Sequence, residues 1–299
     1  MSKAKPFIKW VGGKSQLIEK IGENLPADFV RCSVYVEPFV GGGAVMFHVL
    51  QNYKNIKRAI VNDINHELIL TYNIVKNDSK TLIKRLSRIE DEFYNLENSE
   101  QREEYFLEKR EMFNQKNSDA ITTSSLFIFL NKTCFNGLYR VNSKGLFNVP
   151  YGKYIKPVIC DTATLLADSE LLQRVEILEG DFSQTVKYAS KDTLFYCDPP
   201  YKPISETSTF NSYAKGGFCD NEQERLKKFC DEVSLNGAMF LQSNSSPEDG
   251  FFDSLYNEYR IEKVLASRMV NSVGAKRGKI TELLISNYQN INQPQLSLF

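Results

Sequence analysis

Histidine is nearly missing from this chain of 299 residues, which has only His48 and His66. A multi-histidine metal site or a Ser-His-Asp constellation therefore lacks raw material, and zinc hydrolases and deaminases drop out. The six cysteines, Cys32, Cys134, Cys160, Cys197, Cys219 and Cys230, contain no C-x-x-C pair. That spacing suits reduced thiols, not a disulfide scaffold or a zinc ribbon, and no metal is expected. No run of about 18 apolar residues occurs, and the opening Met1-Ser-Lys-Ala-Lys-Pro lacks the apolar segment of a signal peptide. The expectation is a soluble, cytoplasmic protein with no membrane contact and no evident obligate protein partner. Sixteen Gly and ten Pro are too few for a collagen-like or low-complexity chain, whereas 42% hydrophobic and 12% aromatic residues suit a folded core. The length fits one large domain or two modest ones.

An excess of either charge is missing too, since 37 basic residues balance 37 acidic ones. Overall attraction to a polyanion is excluded, but the charge is segregated along the chain. Asn131 to Cys160 carries five cations (Lys132, Arg140, Lys144, Lys153, Lys156) and no carboxylate. Ala266 to Thr281 carries four (Arg268, Lys276, Arg277, Lys279) and none, and the first twenty residues hold five lysines against Glu19. Between Arg88 and Glu111 nine acids face four bases. Three basic stretches could converge on one polyanion, or be solvated loops.

The periodicity is that of an α/β protein interrupted in the middle. Short β-branched or apolar runs predict strands at Ser33 to Glu37, Lys57 to Val61, Val175 to Glu179, Thr193 to Cys197, Ala238 to Gln242, Arg260 to Ala266 and Ile280 to Asn287. Helices are predicted at Ala44 to Tyr53 and Asn221 to Leu235. From Leu68 to Lys132 apolar positions recur three or four apart among Glu, Lys and Arg, the pattern of helices alone. Asn136 to Tyr154, with Gly145 between two short runs, predicts a β-hairpin, although Pro150 weakens its second strand.

Three motifs bear chemistry. Tyr35-Val-Glu-Pro-Phe-Val-Gly-Gly-Gly-Ala44 runs from a strand through glycines into a helix, where a ligand can approach the backbone. It departs from G-x-G-x-x-G because Met46 holds the last position, so a dinucleotide site is weakly supported. Asp63 closes the next strand, where a carboxylate can bind the ribose hydroxyls of an adenosine cofactor, with helix capping as the alternative. Val11-Gly-Gly-Lys-Ser15 is not a P-loop, because Ile8 stands where that motif needs glycine. Lys14 remains a candidate for a ligand carboxylate and Trp10 for stacking. In Asp198-Pro199-Pro200-Tyr201, directly after a predicted strand, two prolines fix the backbone. The Asp198 carboxylate and the Pro199 carbonyl can then be aimed at one point beside the Tyr201 ring. Two acceptors holding the hydrogens of a nucleobase amino group favour the pyramidal geometry that nucleophilic attack requires.

Taken in order, Pro6-Phe-Ile-Lys-Trp-Val-Gly-Gly-Lys14, Glu37-Pro-Phe-Val-Gly-Gly-Gly43, Asn62-Asp-Ile-Asn65, Arg140-Val-Asn-Ser-Lys-Gly-Leu-Phe-Asn-Val-Pro-Tyr-Gly152 and Asp198-Pro-Pro-Tyr201 resemble the Dam-type DNA adenine-N6 methyltransferases, which methylate GATC. The resemblance spans nearly the whole chain. It implies a Rossmann-like methyltransferase sheet, mostly parallel, seven-stranded and with the last strand reversed, interrupted by a mainly helical target-recognition domain with a β-hairpin. Residues 1–67 and 161–299 would form the catalytic domain and 68–160 the inserted one. It further implies S-adenosylmethionine as cofactor, leaving S-adenosylhomocysteine as product. Trp10, Lys14, Phe39, Gly41, Gly42, Gly43, Asp63, Asp181 and Asp198 would line its site. Asp198, Pro199, Pro200 and Tyr201 would be catalytic, Tyr201 stacking on an adenine flipped out of double-stranded DNA.

For reading DNA the resemblance points to Lys9, Phe135, Asn136, Leu138, Arg140, Pro150 and Tyr154. Arg140 suits guanine O6 and N7, Leu138 and Pro150 a thymine methyl, and Lys9 with Tyr154 another guanine. Phe135 and Asn136 would fill the gap left by the flipped base. The family pattern has Tyr where Phe135 stands, so intercalation survives but a hydroxyl contact does not. An RNA or free-nucleobase methyltransferase would share the cofactor motifs but have no use for the guanine-reading hairpin. A non-catalytic DNA-binding module would not need Asp198.

Overall fold

The computed structural model describes residues 3–10, 12, 14, 17–202, 218–267 and 279–289. Much of the basic stretch from Ala266 to Thr281 thus lies outside the described residues. In chain order the elements are α1 (Ile18–Glu23), β1 (Val34–Glu37), α2 (Ala44–Asn52), β2 (Arg58–Asp63), α3 (His66–Tyr94), α4 (Ser99–Asn114), α5 (Ala120–Thr133), α6 (Thr162–Leu172), β3 (Val175–Glu179), β4 (Thr193–Cys197), α7 (Asp220–Leu235), β5 (Met239–Ser245), α8 (Phe251–Leu255), β6 (Arg260–Ser267) and β7 (Lys279–Ser286). All seven strands read from the sequence are present.

They form one sheet in the order β3-β2-β1-β4-β5-β7-β6. β1 runs parallel to β2 and β4, and β4 parallel to β5, with Tyr35 opposite Leu194 and Cys197 opposite Gln242. β7 is antiparallel to both β5 and β6. This is the Rossmann-like methyltransferase arrangement with its reversed last strand. Every residue of β4 is buried, as a central parallel strand requires, which is why Thr193 to Cys197 reads as an unbroken run and not as an alternation. The strand order reverses between β1 and β4, the place where open α/β sheets bind ligands beyond their carboxyl ends.

By packing, the chain divides into two compact units. The first is Met1–Gly13, Val40–Asn52 and Asn62–Asp181, and the second Lys14–Phe39, Tyr53–Val61 and Phe182–Phe299. Residues 68–160 lie wholly inside the first unit. There α3 buries Leu68, Tyr72, Val75, Leu82, Leu86, Ile89 and Phe93, a three-and-four spacing that lines one face of a helix. Asn65 caps its N-terminus, accepting from the Leu68 N–H at 2.9 Å, and helical geometry breaks at Asp78. α5 is buried from Ser124 to Asn131, and Phe129 meets Phe93, Tyr105 and Phe106 in an aromatic core. In the second unit Phe229 of α7 packs edge-on against Phe195 of β4, and Phe240 of β5 against Tyr259.

The expected hairpin is a looped ladder with two isolated antiparallel bridges, Cys134 to Tyr151 and Val141 to Phe147, and not a pair of strands. Two local causes account for this. The Asn142 side chain accepts from the backbone N–H groups of Lys144 and Leu146, closing its own turn. Pro150 has no N–H to offer a ladder, and only its carbonyl bonds, to the Phe135 N–H at 2.9 Å.

All six cysteines are free thiols. No helix among the described residues is long and apolar enough to cross a membrane.

Candidate active site

The glycine loop that follows β1 is shaped inside the first unit. Gly41 (φ +47°) and Gly43 (φ +71°) adopt left-handed backbone, and a Cβ on Gly41 would lie 2.7 Å from the Trp10 indole. A Cβ on Gly43 would lie 2.5 Å from the Tyr72 hydroxyl, and on Gly42 3.0 Å from Trp10. The loop is tied from both sides: the Gly41 N–H donates to Asp63 Oδ2 at 3.0 Å, and the Tyr72 hydroxyl donates to the Gly41 carbonyl at 3.1 Å. Asp63 Oδ1 accepts from the Asn65 N–H at 3.0 Å. Asp63 is thus not the helix cap, a role Asn65 takes. Three backbone N–H groups, of Gly41, Asn65 and Ile64, bear on the carboxylate, which retains acceptor capacity for a further donor. Burial pushes the Asp63 carboxyl up, against the lowering effect of the surrounding backbone N–H groups.

Asp181 follows Gly180, whose N–H donates to the Asp63 carbonyl at 3.0 Å and whose carbonyl accepts from the Asn62 amide at 2.9 Å. The two aspartates therefore leave neighbouring backbone. Trp10 stacks on Tyr139, with ring centres 5.9 Å apart and planes 18° from parallel. Sequence reading missed Tyr72 and Tyr139.

Lys14, Asp198 and Tyr201 converge in the second unit. Lys14 is 6% exposed, and its Nζ sits 2.9 Å from Asp198 Oδ1 and 4.3 Å from the centre of the Tyr201 ring. The Ser243 hydroxyl donates to the same Oδ1 at 2.9 Å and lies 3.0 Å from the Tyr196 hydroxyl. Both bonds to Asp198 land on one oxygen. Among the described residues neither Oδ2 nor the Pro199 carbonyl accepts a hydrogen bond, whereas the Pro200 carbonyl accepts from buried Gln223 at 3.2 Å.

The Tyr201 hydroxyl donates to Glu282 Oε2 at 2.7 Å. Burial raises Asp198 and Glu282 alike, and Lys14 pulls both back toward ionisation. Phe39 is set apart from this network in an aromatic cluster with Phe182 and Phe218. Ser243 and Glu282 were not anticipated. Ser243 stands in a polar run, Gln242 to Ser245, that ends a central strand, and Glu282 precedes the apolar run Leu283 to Ile285.

The DNA-reading candidates all lie in the first unit. Phe135 is 51% exposed, a large apolar side chain in the open. Lys9 Nζ stands 4.3 Å from the centre of the Tyr154 ring, and the Tyr154 hydroxyl accepts from the Asn136 N–H at 3.1 Å. Arg140 is exposed and donates through Nε and Nη2 to the Asn148 side chain and backbone carbonyl, at 2.7 and 3.2 Å. Leu138 is half-buried and Pro150 exposed.

Residues 10–270 match the family of D12 class N6 adenine-specific DNA methyltransferases. The chain belongs to that family. It is 48% identical over 289 residues to the type II methyltransferase M.MjaIII of Methanocaldococcus jannaschii, covering 95% of this chain and 99% of that one. It is 36% identical over 285 residues to the DNA adenine methylase of Vibrio cholerae, covering 95% and 96%. The Lactococcus lactis type II methyltransferase M1.LlaDCHI is 37% identical over 291 residues, with 96% of each chain covered. As a D12-class methyltransferase, the protein is an enzyme of adenine methylation in DNA. The matched span contains Trp10, the glycine loop, Asp63, the DNA-reading candidates from Phe135 to Tyr154 and Asp198 to Tyr201, and begins one residue after Lys9.

Proposed function

We propose that the enzyme moves a methyl group from S-adenosylmethionine to N6 of an adenine flipped out of double-stranded GATC, by direct in-line transfer without a covalent enzyme intermediate. The observation that carries this reading is the asymmetry of Asp198. Oδ1 takes Lys14 and Ser243, while among the described residues Oδ2 and the Pro199 carbonyl are left open. Those two acceptors match the two hydrogens of an exocyclic amino group. Holding them favours a pyramidal nitrogen whose lone pair is free to attack, and Lys14 opposes the upward push of burial on the carboxyl. Tyr201, fixed at its hydroxyl by Glu282, offers its ring to the adenine.

The donor set suits the cofactor. Trp10, Gly41, Gly42, Gly43, Asp63 and Asp181 of the first unit offer a bare backbone loop, an indole and carboxylates for an adenosine. Asp63 would accept from ribose hydroxyls through its remaining lone pairs. Lys14, Phe39 and Asp198 of the second unit offer charges and an apolar ring for an amino-acid end. When bound, S-adenosylmethionine supplies an electrophilic methyl on a sulfonium and leaves as S-adenosylhomocysteine. Residues 68–160 serve target recognition, and 1–67 with 161–299 catalysis. Arg140 reads a guanine, Lys9 and Tyr154 another, Leu138 and Pro150 a thymine methyl, and Phe135 with Asn136 takes the place of the flipped base.

The test is methyl incorporation from labelled S-adenosylmethionine into duplex GATC, each single-base variant, and RNA of the same sequence. Incorporation at adenine N6 of GATC alone is expected. Equal methylation of all duplexes would overturn the specificity, and a preference for RNA the substrate.

A further inference from the structure

One buried amide joins the two segments that carry the proposed base-reading side chains. Asn131, 3% exposed near the end of α5, accepts from the Lys9 N–H through Oδ1 at 2.8 Å. Its Nδ2 donates to the Lys9 carbonyl at 2.7 Å and to the Gly137 carbonyl at 3.0 Å. Gly137 (φ +62°) lets the strands of chain come that close, for a Cβ there would fall 2.4 Å from Lys9 Cδ. The contacts form a closed circuit. Asn131 holds the Lys9 backbone, the Lys9 ammonium lies over Tyr154, the Tyr154 hydroxyl accepts from the Asn136 N–H, and Gly137 returns to Asn131.

We infer that Asn131 is a positioning residue for sequence discrimination: without touching DNA, it sets Lys9 in register with the Asn136 to Leu138 turn, so that both address neighbouring base pairs of the target. The assignment rests on the reading of Lys9 and this turn as DNA contacts. Its physical basis is that the Lys9 segment and the Asn136 to Leu138 turn share no regular ladder, and the amide that joins them stands 122 residues from Lys9 in sequence. An amide is the smallest side chain that can donate to two carbonyls and accept from one N–H at once. A buried backbone group left without such a partner would move to find another, and a displacement of an ångström or so is enough to spoil a bidentate base contact.

The experiment compares the wild-type enzyme with Asn131→Asp, Asn131→Ala, Lys9→Ala and the double variant Lys9→Ala/Asn131→Asp. The readout is kcat and KM on duplex GATC and on each single-base variant. Asn131→Asp keeps the acceptor and the volume but loses both donated bonds, and unchanged S-adenosylmethionine affinity and thermal unfolding report that it is folded. Lys9→Ala should lower discrimination at one base pair by about tenfold. Asn131→Asp should lower it at that pair and at the one addressed by the turn, mainly through KM. In the double variant the loss at the Lys9 pair should be no greater than in Lys9→Ala, because the amide acts there through the lysine. Additive losses at that pair, or an equal fall in kcat on every duplex, would overturn the role. If Lys9→Ala shifts discrimination and neither Asn131 variant does, the proposal alone fails. If Lys9→Ala treats all duplexes as the wild type does, the reading of Lys9 fails and the proposal falls with it.

Discussion

Around Asp198 charges are buried and their side-chain tips are fixed, whereas around Lys9 the backbones are fixed and the tips reach outward. Lys14 is almost wholly buried against Asp198, one of whose oxygens takes two donors while the other stays open among the described residues. Lys9 and Arg140 are exposed, Phe135 is half in the open, and the buried Asn131 holds the backbone of Lys9 and of Gly137. The difference fits the two tasks proposed for these regions. Transition-state charge is stabilised best by dipoles and charges that need no rearrangement, so the chemistry is served by a rigid, desolvated network. Base edges lie in a groove and are met from outside, so readers need reach at the tip and precision only at the root.

The largest expected effect comes from Asp198→Asn. It removes the charge paired with Lys14 and puts a donor where acceptors are required, so kcat should fall about a hundred- to a thousandfold with GATC discrimination retained. Single-turnover methylation on cognate and variant duplexes checks both halves. Near-normal turnover by a folded variant would remove Asp198 from the chemistry.

A second buried carboxylate sharpens the contrast, because it has no such support. Asp168 of α6 is fully buried and, among the described residues, accepts only from the Lys5 N–H at 3.0 Å through Oδ1, while Oδ2 has no partner. Burial and the nearby Asp161 push it from 3.8 up to about 8, against the weaker pull of the Lys5 N–H and of the Lys5 and Lys132 charges. The folded protein therefore holds a proton here that the unfolded chain has released. That stabilisation is complete below about pH 3.8 and is lost as pH rises through about 8. Within this window stability should decline by at most about 1.4 kcal/mol per pH unit. Asp168→Asn keeps the acceptor for Lys5 and removes the titration. Denaturant midpoints at pH 5 and pH 8 should show the variant gaining on the wild type as pH rises. A difference that does not change with pH would show that Asp168 is already ionised in the fold.

Much of this was legible in the sequence, and what escaped has a common cause. Strands such as Thr193 to Cys197 announced themselves because β-branched and apolar runs end at Gly, Pro or Asp. The Asp198 turn was legible because two prolines restrict the backbone whatever surrounds it. Ser243, Glu282 and Asn131 were not, since each gains its meaning from a partner far away in sequence: 45 residues for Ser243, 81 for Glu282 and 122 for Asn131. Periodicity carries no record of such pairs. Asp63 is half legible: its place at the end of β2 follows from the strand pattern, but its bond to the Gly41 N–H needed the loop in space.

The reading side of the comparison is tested by two smaller effects. Arg140→Ala should cost about 1 to 3 kcal/mol on GATC and relax one base pair, without the lowered salt slope that loss of a phosphate contact brings. Uniform weakening on all duplexes with a shallower salt dependence would make Arg140 a phosphate anchor.

Asn148 should matter least, and for a reason the tip-and-root division supplies. Two of the five guanidinium N–H groups of Arg140 are held by Asn148, one by its side chain at 2.7 Å and one by its backbone carbonyl at 3.2 Å. Three remain, enough for a bidentate guanine contact. Asn148→Ala removes only the side-chain bond, so the guanidinium keeps its backbone tether and its reach. A net hydrogen bond near the surface is worth about 1 kcal/mol, and the expected loss is about three- to fivefold in discrimination at the Arg140 base pair. The other base pairs should be unaffected. Measured beside Arg140→Ala, the double variant should be indistinguishable from the arginine variant alone, because Asn148 has no route to the base except through that side chain. A loss as large as that of Arg140→Ala would mean that this tip is as tightly fixed as Asp198, and the division between the two regions would not hold.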